Sequence, residues 1–269
     1  MNINLKFLLI GTSLSLIPNI TYAQCAVTDC LQLGYTSLQK CDNGLKCPFG
    51  EYWACPKVEE KAVLGECIGY AKNCKIGDIL NSDGTCTTNK ESGKTPIGVV
   101  VYIGGDNCGQ ALALKDFGNM EWGGYGTDIP DLPNYTSVSA AEQDFDSCGN
   151  TQKIIKFGNS SRYPAAWAAV NYVPSSAPTT KGKWCLPAGG IARSMMNNYD
   201  KINSGLLKAE GELLPELSEH NRWNWSSSEF NYFCAWHWDY ASNKLHFNFV
   251  NSSYVKTLGW ISVRPVIEF

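Results

Sequence analysis

The last part of the chain, Asn221 to Phe269, has the sequence NRWNWSSSEFNYFCAWHWDYASNKLHFNFVNSSYVKTLGWISVRPVIEF. Short words such as Trp225–Glu229 and Val263–Val266 separate segments made largely of Asn, Tyr, His, Asp, Ser and Phe. Tyr and Trp provide large contact area at low entropic cost, and Asn and Ser provide adaptable hydrogen bonds. This composition predicts a rigid frame that carries a contact surface. An aromatic-rich sheet without a binding role is the alternative.

Strand geometry divides these residues between frame and surface. Side chains of a strand alternate between two faces, so if Trp236, Trp238 and Tyr240 face the core, His237 and Asp239 point outward. Trp225 joins Trp236 in the predicted structural frame. We predict a ligand-binding surface formed by Asn231, Tyr232, Phe233, His237, Asp239, Asn243, His246, Asn248, Asn251, Ser252, Ser253 and Tyr254.

The order of several words resembles the DUF1566 family. These words are WCLPAGG at Trp184–Gly190, MMNNYDKIN at Met195–Asn203, the Trp225–Glu229 word, Ala235-Trp236 and the terminal VRPVIEF. The family includes the C-terminal domain of Legionella collagen-like adhesins. It is similar to the variable proteins of diversity-generating retroelements, which have a C-type-lectin-like fold. The resemblance covers roughly residues 96–269.

Two predicted helices with several antiparallel strands indicate an α+β domain, and the resemblance implies a C-type-lectin-like fold whose surface is diversified. In the variable proteins mutagenesis falls on template adenines, so Asn codons vary whereas Trp codons persist, and the segment from Phe230 to Tyr254 fits that pattern. The residue types of ordinary β-strands overlap with those that diversification produces, so an undiversified strand is the alternative. The resemblance also implies structural roles for Glu229 and Arg264, as a charge-assisted pair that closes the last strand onto the sheet. A plain surface position for Glu229 is the alternative.

The first 23 residues are typical of an export signal. Lys6 supplies the positive charge, an apolar run follows, and small residues precede a predicted cleavage site after Ala23. We therefore expect a secreted, periplasmic or cell-surface protein. The sequence shows no second apolar stretch of membrane-spanning length, so no membrane span is predicted.

The cysteines predict a disulfide framework. All twelve follow the export signal, an even number that suits an oxidising compartment. We predict that a hairpin is pinned by Cys74 and Cys86, that Cys108 pairs with Cys148 because both lie in similar Gly-containing loops, and that Cys185 pairs with Cys234. Without a C-x-x-C pair and with three histidines, a zinc site is not expected.

Composition shifts near residues 92–95. We predict a small disulfide-clamped module over 24–93, rich in cysteine and poor in aliphatic residues, and the lectin-like domain over 94–269. Within the latter, Ile97–Ile103 predicts a buried strand and Gln110–Lys115 a second one. Pro164 is expected to open a helix, and a further helix is expected from about Gly190 to Leu207.

Several function classes are not expected. A net charge of −3 gives no indication of nucleic-acid binding. The word at Trp225–Glu229 lacks the glycines of a nucleophile elbow, so we predict no enzyme, and the sequence indicates no cofactor or calcium site. Two hypotheses follow. One is a surface-exposed protein that recognises a protein or glycan ligand on a cell, phage or host surface; the other is a pilus- or fibre-associated subunit with a fixed aromatic assembly interface.

Overall fold

The computed structural model describes residues 39–40, 53–54, 64–65, 74–104, 108–217, 222–241 and 261–269. The chain divides into two compact units, Met1–Glu59 and Glu60–Phe269. In the first unit, strands β1 (Gln39–Lys40) and β2 (Trp53–Ala54) form an antiparallel pair. The predicted export signal and cleavage site lie outside the described residues.

An antiparallel sheet of six strands forms one layer of the second unit, in the order β4-β3-β5-β6-β12-β8. Its strands are β3 (Ile79–Asn81), β4 (Cys86–Thr87), β5 (Pro96–Ile103), β6 (Gly109–Ala113), β8 (Trp184–Cys185) and β12 (Val266–Glu268). The predicted strands at Ile97–Ile103 and Gln110–Lys115 are β5 and β6. Both faces of β5 are covered, since Val99 and Val101 join one core cluster and Val100 joins another.

The hairpin of β3 and β4 belongs to this sheet. From the sequence, this hairpin was expected in the disulfide-clamped module over 24–93, whose boundary with the following domain was predicted near residues 92–95. In the structure β3 pairs with β5 through Ile79–Val99 and Leu80–Gly98, and both Ile79 and Leu80 are fully buried. These apolar side chains gain burial by joining the sheet, so the hairpin is a part of the larger unit, which starts at Glu60.

A second sheet has the order β10-β9-β11-β7. Its strands are β7 (Gly118–Met120), β9 (Trp223–Asn231), β10 (Cys234–Asp239) and β11 (Ile261–Val263). Strands β9 and β10 form an antiparallel hairpin. Strand β11 pairs with β7 in the antiparallel sense and with β9 in the parallel sense, through Ser262 and Asn224.

The helices are α1 (Val138–Ala141), α2 (Ser147–Phe157), α3 (Pro164–Asn171), α4 (Gly189–Asn197) and α5 (Tyr199–Lys208), with a 3₁₀ turn at Pro178–Thr180. Pro164 opens α3 as predicted. The helix expected from Gly190 to Leu207 is two helices that meet at Asn198, whose φ of −123° and ψ of 23° leave the helical region. Asn favours such ends because its amide bonds to nearby backbone; here Nδ2 donates to the Ser194 carbonyl at 2.9 Å.

Helix α2 was not predicted from the sequence. Gly149 in its first turn suggested a loop. Asp146 caps this helix, and its Oδ1 accepts the Gly149 N–H at 2.9 Å. A cap of this kind supplies an acceptor for an N–H that has no partner within the helix.

Three buried clusters hold the layers together. One lies between β5, β6 and helices α4 and α5, and includes Ile202 and Trp238. A second joins α2 and α3 to β9 and β11 and includes Trp225. A third contains Trp184 and side chains from the other face of β5. The chain is therefore a mixed α+β protein.

The disulfides agree with one predicted pairing and differ from two. The bridge between Cys74 and Cys86 is present. Cys148 is bonded to Cys185, so neither the Cys108–Cys148 nor the Cys185–Cys234 pairing forms. Cys108 is disulfide-bonded, and Cys234 is buried. Because Cys148 lies in α2 and Cys185 in β8, their bridge joins two elements that pack together, which the local similarity of the Cys108 and Cys148 contexts does not reveal.

Candidate binding surface

Tryptophan side chains form the frame beneath the β9–β10 hairpin. Trp225, Trp236 and Trp122 are at most 4% exposed, and each indole N–H reaches a backbone carbonyl. Trp225 donates to Met120, Trp236 to Tyr135 and Trp122 to Ser226, all at 2.8 Å. A buried indole that keeps its hydrogen bond fixes its surroundings in both position and orientation. The frame residues predicted from sequence are thus core residues.

Ser228 of the Trp225–Glu229 word belongs to a buried polar network. Ser228 Oγ donates to Asp144 Oδ2 at 2.6 Å and accepts the Gly189 N–H at 2.9 Å. Asn150 Nδ2 donates to the same carboxylate oxygen at 2.7 Å. The pKa of Asp144 is raised, because the effect of burial outweighs that of the hydrogen bonds from Ser228 and Asn150, which lower it. The network joins β9 to α2 and to the start of α4, so the Ser228 hydroxyl is structural.

Arg264 and Glu229 are both buried, and Arg264 does not pair with Glu229. The Arg264 guanidinium donates to backbone carbonyls, including Ala113 at 3.0 Å and Glu212 at 2.5 Å. Glu229 Oε2 accepts the Ile129 N–H at 3.5 Å. The charge-assisted pair expected from the resemblance is therefore replaced by contacts from Arg264 to main-chain oxygens, which hold the C-terminal strand segment against the loop after α5.

The turn between β9 and β10 is the exposed end of the hairpin. Asn231 Oδ1 accepts the N–H groups of Phe233, at 2.8 Å, and of Cys234, at 3.0 Å. An Asn side chain that bonds backbone two residues ahead fixes a tight turn. Tyr232 and Phe233 occupy the tip, and 48% of Tyr232 and 36% of Phe233 is exposed. Of the predicted surface residues, Asn231 shapes the turn, and the next two form the displayed surface.

A third ring, Tyr125, completes an exposed aromatic cluster of Tyr125, Tyr232 and Phe233. Tyr125 is 54% exposed. The centroid of its ring lies 5.1 Å from that of Phe233, whose ring is 4.1 Å from that of Tyr232. The Gly126 N–H donates to the Tyr232 carbonyl at 2.9 Å, which joins the two loops. Tyr125 was not predicted from the sequence, where its one signal is that glycines flank this aromatic residue.

His237 is buried, contrary to the outward position predicted for it. Its side chain is 2% exposed. The imidazole lies between two indoles, with centroid distances of 5.6 Å to Trp223 and 6.0 Å to Trp225. Burial lowers the pKa of His237 to about 4. The side chains of β10 do alternate between two faces, but both faces of this strand are covered. His237, on the face opposite to that of Trp236, is therefore no more exposed than Trp236.

Asp239 is half-buried at the end of β10. One of its carboxylate oxygens accepts the Ala241 N–H at 2.8 Å. The remaining predicted surface residues lie outside the part of the chain that the structure describes: Asn243, His246, Asn248, Asn251, Ser252, Ser253 and Tyr254.

The described ranges contain neither a metal-binding cluster nor a membrane-spanning helix. No group of three or more His, Cys, Asp or Glu side chains there is arranged to hold a metal ion. Among the same residues, no helix combines the length and apolar character needed to cross a membrane.

Comparison with known proteins gives a likeness in structure. No protein-family model matches the chain, and no curated protein matches it either. A fimbrial protein from Bacteroides ovatus is similar in structure, with 16% sequence identity and a TM-score of 0.52. The alignment covers 72% of this chain and 49% of that protein, so this chain spans about half of its length. At this identity, the likeness shows a shared fold.

Proposed function

We propose that this chain is a surface subunit associated with a fibre, and that the aromatic cluster is its assembly contact. The shared fold with a fimbrial protein suggests this class of function. Because identity is 16%, the likeness does not itself transfer a role. The assignment of the assembly contact therefore depends on the aromatic cluster itself.

The observation that carries the proposal is the exposure of three adjoining aromatic rings at one end of the hairpin. Tyr125, Tyr232 and Phe233 are each at least 36% exposed, although their ring contacts place them side by side. Aromatic residues are enriched at protein interfaces and carry much of their binding energy. Because the turn is fixed by Asn231, little conformational entropy is lost when a partner covers these rings.

The disulfides favour a place outside the cytoplasm for such a subunit. Disulfides persist in oxidising compartments and are rare where thiols are kept reduced. The bridges Cys74–Cys86 and Cys148–Cys185 fit that environment. Together with the predicted export signal, they support a role at the cell surface.

Site-specific photo-crosslinking in cells tests the proposal. A photoreactive phenylalanine at position 232 should give covalent adducts with a neighbouring subunit, seen as a ladder of larger species. The same group at position 117 provides a matched control, because Phe117 is a 47% exposed aromatic outside the cluster. The exchange Tyr232→Ser with Phe233→Ser should abolish incorporation into the fibre, whereas Phe117→Ser should leave it unchanged.

Two results would contradict the proposal. If the double variant folds, as judged by an unchanged melting temperature, and still enters fibres at the wild-type level, the aromatic cluster is not the assembly contact. Equal adducts at positions 117 and 232 would contradict it as well, since crosslinking would then reflect exposure alone.

Recognition of a separate ligand on a C-type-lectin-like scaffold is the second candidate. The exposed hairpin tip favours it, because Asn231, Tyr232 and Phe233 combine the residue types expected of a diversified surface. The ligand would be a protein or glycan on a cell, phage or host surface. An adjacent reverse-transcriptase gene and an adenine-rich near-copy of the final coding stretch would select this candidate over the assembly contact.

A further inference from the structure

A polar cavity of about 410 Å³ lies away from the aromatic cluster, where β7, β11 and the start of β9 meet the loop after α5. Its volume falls within the roughly 300–1,000 Å³ of small-molecule sites. Unlike most such sites, its wall is largely polar. Ser262 and Asn224 alternate along their strands with the buried side chains of Ile261, Val263 and Trp225, and both line the cavity together with Trp223 of β9.

Three side chains form a connected polar floor. Asn224 Nδ2 donates to Ser262 Oγ at 2.6 Å and to Asp116 Oδ1 at 3.4 Å, and Ser262 Oγ donates to Asp116 Oδ2 at 3.2 Å. An ionised carboxylate has about four acceptor positions. Asp116 therefore keeps capacity to accept hydrogen bonds from a ligand that enters the cavity.

The charges around the cavity balance. Asp116 and Glu212 supply two carboxylates, and Arg222 lines the same space. Arg264 is 1% exposed and does not line the cavity, but its positive charge acts on Asp116: burial raises the pKa of Asp116, and the Arg264 guanidinium opposes that rise. An anionic ligand would meet the two carboxylates, and a cationic ligand would meet the Arg222 guanidinium and the positive charge of the buried Arg264. The arrangement suits a ligand that is neutral and rich in hydroxyl groups.

We propose that this cavity binds a neutral polyhydroxylated ligand, such as one sugar unit of a glycan, without a metal ion. Hydroxyl groups both donate and accept hydrogen bonds, so such a ligand can donate to Asp116 and Glu212 and accept from Arg222. The site is separate from the aromatic cluster, so the proposal does not rest on the assembly function.

Saturation-transfer NMR with the oxidised full-length protein tests this proposal. The probes are glucose, galactose, mannose and N-acetylglucosamine, with free lysine and inorganic phosphate as charged comparators. We expect at least one neutral sugar to bind with a Kd on the order of 1 mM, unchanged by a chelator. Asp116→Asn and Ser262→Ala should each weaken binding about fivefold, the effect of one lost hydrogen bond.

Matched variants separate binding from folding. Asn119 lines the cavity and is exposed, so Asn119→Ala should weaken sugar binding without affecting the fold. Glu210→Gln is the control, because Glu210 is exposed and pairs with Lys90 outside the cavity. The Tyr232→Ser, Phe233→Ser variant should bind sugar as wild type does.

Three outcomes would overturn the proposal. The first is that none of the four sugars binds. In the second, lysine or phosphate binds in their place. In the third, a sugar binds and the folded Asn119→Ala and Ser262→Ala variants bind it equally well.

Discussion

The tip of the β9–β10 hairpin and the middle of strand β10 have similar compositions and opposite environments. Both mix aromatic and polar residues. At the tip, Tyr232 and Phe233 are exposed, whereas three residues further on Trp236 is buried, together with His237 and Trp238. The difference teaches that the composition of a contact surface is not enough to place it. What covers each strand face has to be known as well.

The covering layers explain the difference. Trp236 and Trp238 pack into the cluster beneath helices α4 and α5. On the other face, Ala235 joins the cluster around α2 and α3, and His237 lies against Trp223 and Trp225. The tip extends beyond both layers, where it meets the loop that carries Tyr125.

The largest effect is expected for the frame. Trp225→Ala should lower the free energy of unfolding by about 3–5 kcal/mol, because it empties a fully buried site and removes a buried hydrogen-bond donor. Urea denaturation followed by fluorescence measures the loss. A loss below about 1 kcal/mol would show that Trp225 is not part of a packed core.

His237 should make stability depend on pH. The pKa of His237 falls from 6.5 to about 4 on folding. The contribution of the buried, neutral imidazole to stability is therefore complete above pH 6.5. It is lost as pH falls toward 4, because the unfolded chain then binds a proton that the folded chain does not. We expect a loss of about 2 kcal/mol between about pH 7.5 and about pH 5. Urea midpoints at the two pH values measure it.

The control for this prediction is His237→Phe, which keeps a ring between the two indoles. The variant should lose about 2 kcal/mol less than wild type over the same pH interval, since carboxylate contributions are common to both proteins. An equal loss in the two proteins would mean that His237 is accessible to protons in the folded state, and so to solvent.

Asn231 separates shaping of the turn from display. Asn231→Ala should cost about 1 kcal/mol, because the N–H groups of Phe233 and Cys234 lose their acceptor. Asn231→Asp keeps an acceptor oxygen and should cost less than half as much. Thermal melts of the two variants measure the difference. No loss in either variant would assign Asn231 to display alone, and equal losses would show that the stabilisation does not come from its acceptor oxygen.

The smallest effect is expected at the tip. Tyr232→Ser should change the free energy of unfolding by no more than about 0.5 kcal/mol, as is usual for exposed side chains. The comparison with Trp225→Ala in the same denaturation assay gives the clearest contrast between frame and tip. A loss at Tyr232 comparable to that at Trp225 would remove the distinction between the two regions.

Local patterns predicted the elements whose signals lie within a few residues. Strand β5 follows from an apolar run with β-branched residues, and α3 from Pro164, whose fixed φ suits the first turn of a helix. The Cys74–Cys86 bridge follows from a short hairpin that brings its ends together. Each of these signals is local, so no knowledge of distant residues was required.

Two of the three features that were not predicted depend on distant partners, and the third depends on a helix cap. Helix α2 contains a glycine in its first turn, and its capping carboxylate compensates for it. Cys148 pairs with Cys185 across 37 residues because α2 packs beside β8. Tyr125 joins the aromatic cluster because its loop bonds to the turn 106 positions further along, at Tyr232.

By itself, the sequence determined the α+β class, the indole frame and the exposed aromatic tip, since residue type and spacing are sufficient where burial follows local periodicity. Only the tertiary structure decided the fate of His237, the partner of Cys148 and the contacts of Arg264. In each case the outcome depends on which layer packs against the residue, and that is a property of elements far apart in the chain. Desolvation and hydrogen bonding then act on groups that the sequence pattern alone had left facing solvent or facing each other.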